Sequence, residues 1–424
     1  MRICSKLRNG CALLALYVCL AAPNAAQAAN CGSGNDSGTD ATACGDGATA
    51  SGDYSSAFGD ASAASGDFST ALGYYSDAAG YDSIAIGKFS STTTDYGAAL
   101  GAHATSDGYG AQAIGPYSEA IGDYTNAIGG GASANGEYAT ALGDSSYSSG
   151  FGATAIGPYS EADGDYADAF GGNSWAKGEN ATALGDTAFA LNTNATALGA
   201  TTQALGENSL AIGGADGTAL QAAIAYNTGS IAIGTQSMAG VSGGTTTNDV
   251  ALGYGAQATG GSSLALGSNA SASGTNSVAL GADSVADEDN TVSVGSSSNQ
   301  RRITNVAAGV NDTDAVNVWQ LHQGLDQMLG QANSYTDQQI DGLRNYLGRR
   351  ANAGTAAAMA VAAIPQAFNK GKIMVGMGFG KWRGSSGAAF GASAMVGDNA
   401  VVKAGATFDD QGGKGFSGGV GIQF

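Results

Sequence analysis

The stretch NSVALG, residues 276–281, recurs in close versions along most of the chain and is the main indication of its fold. Its final glycine belongs to a series with a strict interval of 14 residues, at positions 45, 59, 73, 87, 101, 115, 129, 143, 157, 171, 185, 199 and 213. After intervals of 21 and 19 residues the series resumes at 234, 253, 267, 281 and 295. A second glycine recurs seven residues out of phase, at 52, 66, 80, 108, 122, 136, 150, 164, 178 and 206. Such a period is typical of a solenoid, in which each repeat is one coil stacked on the last.

Fourteen residues with two glycines predict two short strands and two tight turns per coil, the glycines supplying turn conformations that other residues resist. Side chains alternate along a strand, so Ser277 and Ala279 point one way. Val278 and Leu280 point the other way. The small residues fit the cramped inside of the coil. The opposite arrangement, with aliphatic residues inside, leaves no room for leucine in so short a coil.

The outward aliphatic residues then form an apolar stripe along the solenoid, which another chain must cover. We therefore predict an oligomer whose seam includes Leu72, Ile86, Ile114, Leu142, Leu184 and Leu266. Eighteen coils at ~4.8 Å each predict a rod of about 85 Å. The stretch AIGPYSEA occurs twice, at 113–120 and 155–162, three repeats apart. The two longer intervals predict loops that bulge from a coil.

The first 28 residues read as a secretory signal peptide. A basic start with Arg2, Lys6 and Arg8 precedes the apolar stretch 11–22 and a small-x-small cleavage site at 26–28. Cys31 and Cys44 remain after cleavage and would meet an oxidising compartment. The count permits a disulfide between them, and a pair of thiols is the alternative.

Residues 29–300 are strongly acidic, with 27 Asp or Glu against the two basic residues Lys88 and Lys177. Such a surface repels nucleic acid and anionic lipid, so no nucleic-acid partner is expected. A solvated acidic exterior explains the charge, and attraction of a basic partner is the alternative.

After the repeats the apolar residues change to helical spacing. Steps of three and four residues describe a coiled-coil seam with the members Val318, Leu321, Leu325, Met328, Ala332, Tyr335, Ile340, Leu343 and Leu347. An alanine-rich helical stretch follows at 353–368. Four strands are predicted at the end of the chain, at 372–382, 387–396, 400–408 and 415–424. Their length and alternation are typical of an outer-membrane barrel, which three chains with four strands each could close.

This order of parts resembles the YadA-like trimeric autotransporter adhesins along essentially the whole mature chain. The repeats NSLAIGG (208–214) and NSVALG (276–281) resemble the head motif of that family, and RRITNVAAGVNDTDAVNVWQL (301–321) resembles its neck. The stretch RRANAGTAAAMAVAAIPQAF (349–368), followed by four strands, resembles its membrane anchor.

The resemblance implies a mainly β protein: a left-handed parallel β-roll head, a neck, a short trimeric coiled-coil stalk and a twelve-stranded trimeric outer-membrane barrel. The corresponding boundaries are a signal peptide at 1–28, a head at 29–295, a neck at 296–321, a stalk at 322–350 and an anchor at 351–424. It further implies an outer-membrane homotrimer with the head exposed on the bacterial surface. Gly391 would ease passage of the chain through the barrel, and Phe424 would signal to the barrel-assembly machinery.

By the same resemblance the function is adhesion to host extracellular-matrix proteins of the collagen or fibronectin kind and to host cells, with self-export through the anchor. Autoagglutination without a host ligand is the alternative. The implied ligand face comprises Asn208, Ser209, Ile212, Asn276, Ser277 and Leu280. The alternative is that this motif only packs the coil. A row of acidic and aromatic pairs, such as Asp53 with Tyr54, predicts side-chain ladders that either stabilise the roll or bind.

An enzyme is the competing class, and the sequence offers it no nucleophile paired with a base. The two histidines, His103 and His322, lie in a repeat turn and on the predicted stalk. The stretch GMGFGK (376–381) lacks the spacing of a phosphate-binding loop. The nonapeptide of a calcium-binding β-roll is absent. We therefore expect no catalytic residue, no metal and no cofactor.

Overall fold

A computed structural model describes residues 33–215 and 221–424. The chain divides between Arg302 and Ile303 into two compact units. The predicted signal peptide at 1–28 and Cys31 lie outside the described residues. Cys44 ends a strand of the first unit. The disulfide between these two cysteines therefore stays a prediction.

Two series of short strands alternate along the first unit. The strands of the first series have two residues each: β1 Asn35–Asp36, β3 Thr49–Ala50, β5 Ala63–Ala64, β7 Asp77–Ala78, β9 Ser91–Thr92, β11 Thr105–Ser106, β13 Glu119–Ala120, β15 Ser133–Ala134, β17 Tyr147–Ser148, β19 Glu161–Ala162, β21 Trp175–Ala176, β23 Phe189–Ala190, β25 Gln203–Ala204, β27 Ile224–Ala225, β29 Met238–Ala239, β31 Gln257–Ala258, β33 Ser271–Ala272 and β35 Val285–Ala286.

The strands of the second series have three residues each, apart from the last. They are β2 Thr42–Cys44, β4 Ser56–Phe58, β6 Thr70–Leu72, β8 Ile84–Ile86, β10 Ala98–Leu100, β12 Gln112–Ile114, β14 Asn126–Ile128, β16 Thr140–Leu142, β18 Thr154–Ile156, β20 Asp168–Phe170, β22 Thr182–Leu184, β24 Thr196–Leu198, β26 Leu210–Ile212, β28 Ile231–Ile233, β30 Val250–Leu252, β32 Leu264–Leu266, β34 Val278–Leu280 and β36 Val292–Ser293.

Each strand pairs in parallel with the strands of its own series one coil earlier and one coil later. Ala98 of β10, for example, lies opposite Ile84 and Gln112. The pairing steps over the longer intervals without losing register, since Ile231 lies opposite both Leu210 and Val250. The predicted solenoid of eighteen coils is therefore confirmed, and the extra residues of both long intervals lie between paired strands. Residues 216–220, in the first of those intervals, are outside the described part.

Small residues fill the inside of the coil, as predicted. The central alanine of every three-residue strand, from Ala43 to Ala279, has no exposed surface. The residue before each of these strands is also buried and mostly small, as at Ser55 and Ala111. In one coil Asp249 takes this place, and its Oδ1 accepts hydrogen bonds from Ser263 and from the backbone N–H of Gly261.

The two glycine series act in different ways. The glycines of the main series from Gly45 to Gly281 adopt positive φ, as at Gly73 with φ 147°, and so supply the turn conformation that the sequence predicts. The second series does not, and that part of the prediction is wrong. A Cβ on Gly66 would instead overlap the carbonyl of Gly80 in the next coil. The second glycine is needed at positions such as Gly66, where the adjacent coil approaches too closely for a Cβ, whereas Thr94 and Asn192 take the same place in other coils.

The left-handed position of most turns lies two residues after a glycine and often holds a residue other than glycine. Tyr54 (φ 57°), Phe68 (φ 60°) and Asn180 (φ 55°) are examples. Their backbone N–H groups still bond along the stack, since the N–H of Phe68 donates to the carbonyl of Asp53 at 2.8 Å. The turns are therefore hydrogen-bonded from coil to coil like the strands.

The second unit contains one long helix and one antiparallel sheet. Helix α1, Val318–Ala362, begins at a capping box in which the Asn317 side chain accepts from the N–H of Gln320. It runs continuously through the predicted stalk and most of the alanine-rich stretch. The strands β37 Ile373–Trp382, β38 Ser385–Val396, β39 Ala400–Asp409 and β40 Lys414–Ile422 pair in sequence order. All four predicted strands are confirmed.

One face of this sheet carries the helix, and the other is apolar and exposed. The helix buries Ala356 and Ala360 against glycines of the sheet, and a Cβ on Gly378 would overlap the carbonyl of Ala360. Alternate residues of β37, such as Val375 and Phe379, are largely exposed. Within residues 33–215 and 221–424, no helix is both long enough and apolar enough to cross a membrane.

Candidate functional site

One outward column of side chains contains all six residues of the predicted seam. Leu72, Ile86, Ile114, Leu142, Leu184 and Leu266 each take the third position of a three-residue strand. The strand register aligns them, as Leu72 opposite Ile86 shows. Leu72, Leu142 and Leu184 are 40–46% exposed, and the other three are half-buried. A single chain therefore leaves a continuous apolar column in contact with water.

A second outward column, at the first position of the same strands, changes character along the solenoid. Up to Thr196 it is mostly polar, with Ile84 and Ala98 as exceptions. From that point it is aliphatic, with the members Leu210, Ile231, Val250, Leu264, Val278 and Val292. The apolar face is thus one column wide in the early coils and two columns wide in the late ones. The change from TALG to SVALG in the repeats is the sequence signal for it.

The implied ligand face is only partly available. Ser209 and Ser277 are buried, with 2% and 0% of their surface exposed, and donate to the carbonyls of Gly206 and Ala286. This corrects the expectation that these two serines contact a ligand. The alternation of NSVALG already directs them inward, because Ser277 shares a face with Ala279.

The other members of that face fall into two groups. Ile212 and Leu280 lie in the same column as the predicted seam, so an oligomer that buries the column also covers them. Asn208 and Asn276 are exposed at left-handed turn positions, with φ 55° and 54°. These two asparagines are the members that a ligand could reach.

The turn before each three-residue strand carries different side chains in two parts of the head. In residues 52–171, called here the aromatic segment, it carries an aromatic ladder of nine rings from nine successive coils. Its members are Tyr54, Phe68, Tyr81, Tyr96, Tyr109, Tyr124, Tyr138, Phe151 and Tyr166. Neighbouring centroids are 5.1–5.6 Å apart, in stacked or edge-to-face pairs. Both arrangements are favourable for aromatic rings.

Carboxylates beside the aromatic ladder bond to the backbone of the preceding coil. Asp67 accepts from the N–H of Asp53 at 2.9 Å, and Asp123 accepts from the N–H of Tyr109 at 2.8 Å. Asp53 accepts from the N–H of Thr39, and this hydrogen bond lowers the pKa of Asp53 below its ordinary value. The hydrogen bonds of these acids therefore fix the stacking of adjacent coils.

Residues 172–295, called here the asparagine segment, build the same turn mainly from asparagine. Its left-handed positions include Asn180, Asn194, Asn208, Asn248, Asn276 and Asn290. Their amides bond along the stack, as from Asn194 to Asn208 and from Asn276 to Asn290, each at 2.9 Å. Hydrogen bonds between side chains here take the place of ring contacts.

Both lysines of the head lie against aromatic rings. Lys88 Nζ is 5.1 Å from the ring centroid of Phe89, and Lys177 Nζ is 4.7 Å from that of Trp175. Lys177 also bonds Glu161 at 3.1 Å and lies 3.6 Å from Asp163. Burial disfavours its charge, but these two carboxylates outweigh burial and raise the pKa of Lys177.

The histidines and the glycine-rich stretch 376–381 form no catalytic or phosphate-binding arrangement within the described residues. His103 stacks on Tyr117 with ring centroids 4.9 Å apart, and His322 is exposed on α1. Residues 376–381 lie within β37 rather than in a loop. Among the described residues no group of three or more His, Cys, Asp or Glu could hold a metal ion. In the anchor, a Cβ on Gly391 would lie 3.0 Å from Ile364 Cδ1, and Phe424 is fully exposed.

Arg301 is a residue whose role the sequence did not indicate. Its guanidinium donates to the hydroxyl of Ser284 at 3.0 Å and to the carbonyls of Val294 and Ala282. These acceptors belong to the last coils of the solenoid. Arg301 thereby caps backbone groups that have no following coil.

The coiled-coil positions on α1 are all exposed in a single chain. Leu321, Leu325 and Leu343, for example, keep 54–57% of their surface in contact with solvent. Apolar residues at heptad spacing are stable in water only when another helix covers them. The helix therefore needs partners along this seam.

Three family models match the chain in the order of its structural parts. The YadA head domain repeat matches at 37–62, 50–76, 78–104, 120–146, 148–167, 169–188, 190–215, 247–270 and 272–298. The coiled stalk of trimeric autotransporter adhesin matches residues 302–344, and the YadA-like membrane anchor domain matches 365–424. Together these matches cover most of the chain.

Three relatives are similar over part of their length. The autotransporter adhesin EhaG of Escherichia coli O157:H7 is 38% identical over 29% of this chain and 8% of its own. The autotransporter adhesin NhhA of Neisseria meningitidis serogroup B is 40% identical over 29% of this chain and 19% of its own. The autotransporter adhesin BtaE of Brucella suis biovar 1 is 37% identical over 21% of this chain and 14% of its own. The matches thus span less than a fifth of each relative.

A comparison with solved structures also gives a match. It is the crystal structure of the collagen-binding domain of the Yersinia adhesin YadA, at 24% identity over 59% of this chain and 87% of that one, with a TM-score of 0.21. The membrane-anchor match, together with the adhesin relatives, makes this an outer-membrane protein with its head on the cell surface. With head, stalk and anchor models all matched in sequence, the chain belongs to the YadA-like trimeric autotransporter adhesins.

Proposed function

We propose that this chain acts as a homotrimer that attaches its bacterium to host extracellular-matrix proteins of the collagen or fibronectin kind and to host cells. The observation that carries the proposal is a head of eighteen coils whose outward side chains are exposed, on a chain that ends in a membrane anchor. A regular, extended and solvent-facing surface suits contact with large ligands better than it suits chemistry on a small substrate.

Two independent features support three chains. The exposed seam of α1 and the apolar column of the head both need a partner, and identical chains supply identical columns in register. The four strands β37–β40 cannot close a barrel alone, whereas three copies give twelve strands. The apolar exposed face of β37 then contacts lipid, and the helix lies on the opposite face.

The same anchor supports self-export. Glycines on the helix-facing side of the sheet, including Gly378 and Gly391, leave room for a chain to pass or to remain docked. Phe424, exposed at the carboxy-terminus, is the residue we propose for recognition by the barrel-assembly machinery. Both roles extend the family resemblance to this chain.

For the ligand face we propose the exposed asparagines Asn208 and Asn276 with the outward residues beside them. The test is binding of the purified full-length trimer in detergent to immobilised collagen, fibronectin and laminin. Variants lacking one whole coil, residues 200–213 or 268–281, remove Asn208 or Asn276 and keep the register of the stack. A variant lacking 130–143 removes one coil from the aromatic segment as a matched control.

Saturable binding that is lost with a coil of the asparagine segment and retained in the control supports the proposal and locates the site. Equal binding by all three variants moves the ligand face elsewhere. Absence of binding to every matrix protein, together with clumping of cells that display the full chain, would replace host adhesion by autoagglutination as the function.

A further inference from the structure

The aromatic ladder is a surface as well as a stack. Each of its nine residues keeps 37–56% of its surface exposed, although neighbouring rings are in contact. Nine successive turns therefore present a continuous row of ring edges and tyrosine hydroxyl groups to solvent. Single exposed aromatic residues are common, but an uninterrupted row is not needed to close a coil, because the asparagine segment closes the same turn without one.

The charge beside the aromatic ladder has one sign. Its turns carry the exposed carboxylates of Asp53, Asp67, Asp82, Asp95, Asp123, Glu137 and Asp165. No lysine or arginine occurs in these turns. Several of these carboxylates, including Asp67 and Asp123, accept a hydrogen bond from a backbone N–H of the preceding coil. The carboxylates are thus held in place beside the rings, and the field they create attracts cations.

The head itself shows what a cation does on such a surface. Lys88 lies over Phe89 and Tyr74, and Lys177 lies over Trp175 while it bonds Glu161. These are the two lysines of residues 29–300. Lys88 contacts two rings, and Lys177 contacts one ring and a carboxylate. The aromatic ladder repeats the ring on nine coils and an adjacent carboxylate on seven of them. Among the described residues no lysine or arginine lies over its rings.

We propose that the aromatic ladder binds an extended polypeptide segment rich in arginine and lysine. Eight steps of ~4.8 Å give the ladder a length of about 38 Å, which an extended peptide of roughly 11 residues spans. Cationic side chains contact the rings and the carboxylates together, and both contacts favour arginine over a neutral residue. A second copy of the ladder is disfavoured, because two acidic rows would face each other. The inference rests on the proposed adhesive function and adds the chemistry of a partner.

The probe is a fluorescent twelve-residue peptide that alternates arginine and serine, with a glutamate–serine peptide of the same length as control. Binding to the detergent-solubilised full-length trimer is measured by fluorescence anisotropy at 50 and 300 mM salt. We expect saturable binding of the arginine peptide, weaker binding at the higher salt concentration because exposed charges are screened, and no binding of the glutamate peptide.

The asparagine segment supplies replacements that fit the turn. The ladder variant carries Tyr96→Asn, Tyr124→Asn, Tyr138→Asn and Tyr166→Asn, all at left-handed positions. The control variant carries Tyr75→Asn, Tyr117→Asn and Tyr159→Asn at left-handed positions of the other turn. Circular dichroism and the melting temperature verify that both variants fold. We expect at least tenfold weaker peptide binding in the ladder variant and a change below twofold in the control.

Equal affinity of the parent and a folded ladder variant overturns the inference, as does equal binding of the arginine and glutamate peptides. Loss of cell clumping without any peptide binding would instead identify a second copy as the occupant. If the four substitutions unfold the chain, Tyr124→Asn alone replaces them, with an expected threefold loss. Failure of the matrix-protein assay alongside ladder-dependent peptide binding rejects the proposed ligands and leaves this inference standing.

Discussion

The aromatic segment and the asparagine segment have the same backbone and the same coil length, yet they hold the turn in different ways. Tyr124 and Asn194 occupy equivalent left-handed positions with φ 58° and 55°. Such a conformation costs roughly 1–2 kcal/mol for a residue with a Cβ. Ring contacts offset that cost at Tyr124, and side-chain hydrogen bonds together with the tolerance of asparagine for this conformation offset it at Asn194.

The segments differ again on the outward face of the three-residue strands. The asparagine segment adds the column that includes Leu210 and Leu264 to the apolar column, whereas the aromatic segment mostly has threonine, serine, asparagine or aspartate there. The late coils are therefore built for contact between chains over a wide face. The early coils keep a narrow one and expose rings and acids on the turn. One repeat thus serves both cohesion and recognition.

The largest predicted effect is a loss of stability when a side chain is placed between adjacent coils, whose close spacing the two segments share. A Cβ at Gly80 overlaps the carbonyl of Thr94, and one at Gly178 overlaps the carbonyl carbon of Asn192. We expect Gly80→Ala and Gly178→Ala each to cost more than about 4 kcal/mol, because the backbone of two coils must separate. Thermal unfolding of the full chain by circular dichroism, with proteolysis to locate the damage, measures the effect.

Gly131→Asn is the matched control for these substitutions. Gly131 has φ 63°, which asparagine tolerates, and the nearest atom to an added Cβ is Ser145 Oγ at 3.6 Å. This variant should melt close to the parent. A large loss in one segment and none in the other would show that coil spacing is not common to both.

The second prediction sharpens the contrast in the apolar face. Leu264→Thr gives a late coil the residue type that early coils have, and should weaken the trimer by about 2 kcal/mol per chain. The temperature at which trimer converts to monomer on electrophoresis reports the change. The opposite exchange in an early coil, Thr154→Ile, should raise that temperature. An unchanged trimer in the Leu264 variant would mean that the second column faces solvent.

The third prediction exchanges the two kinds of turn. Tyr124→Asn removes two ring contacts of 5.4 Å but introduces a residue suited to positive φ, so the net loss should be below about 1 kcal/mol. Asn194→Tyr loses the hydrogen bond to Asn208 and gains no ring neighbour in its column, so it should cost about 1–2 kcal/mol. Melting temperatures of the two single variants decide the order. A larger loss for Tyr124→Asn would make the rings the stronger device.

The smallest predicted effect is a loss of stability of the first coils at low pH. The pKa of Asp53 is lowered by the N–H of Thr39, so its ionised form stabilises the first coils at neutral pH. That contribution is present above the ordinary pKa of about 3.9 and is lost as pH falls through the lowered value. Proteolysis of the earliest coils should therefore accelerate below about pH 4. Asp53→Asn should flatten this dependence, whereas Asp144→Asn, at a carboxylate bonded by the Ser145 hydroxyl, should leave it unchanged.

Much of this fold follows from spacing alone. The 14-residue interval predicts the coil, and the alternation in SVALG predicts buried Ala279 beside outward Leu280, because a coil of this size accepts only small residues inside. The four terminal strands follow from the same alternation. The period and the alternation together show which side chains point inward and which point outward, and this information is sufficient to predict the coils and the four terminal strands.

Spacing could not distinguish the two roles of glycine. Gly66 and Gly73 look alike in the repeat, but only Gly73 has positive φ, while Gly66 is required by the approach of Gly80. Nor did it place the left-handed residues, since tyrosine is not expected at positive φ without the stacking that only the assembled coils provide. Ser277 was assigned both to the inside and to a ligand face, and burial decides for the inside.

The repeated stretch AIGPYSEA has a consequence for how this protein changes over generations. Its copies begin 42 residues apart, which is three whole coils, and their surroundings repeat as well. The space beside Gly130 is bounded by Pro116 and Asp144, and that beside Gly172 by Pro158 and Asp186. Recombination between such repeats adds or removes whole coils, and each coil changes the reach of the head by ~4.8 Å without disturbing its neighbours. Length is thus a trait that a population can vary in discrete steps while the fold stays the same.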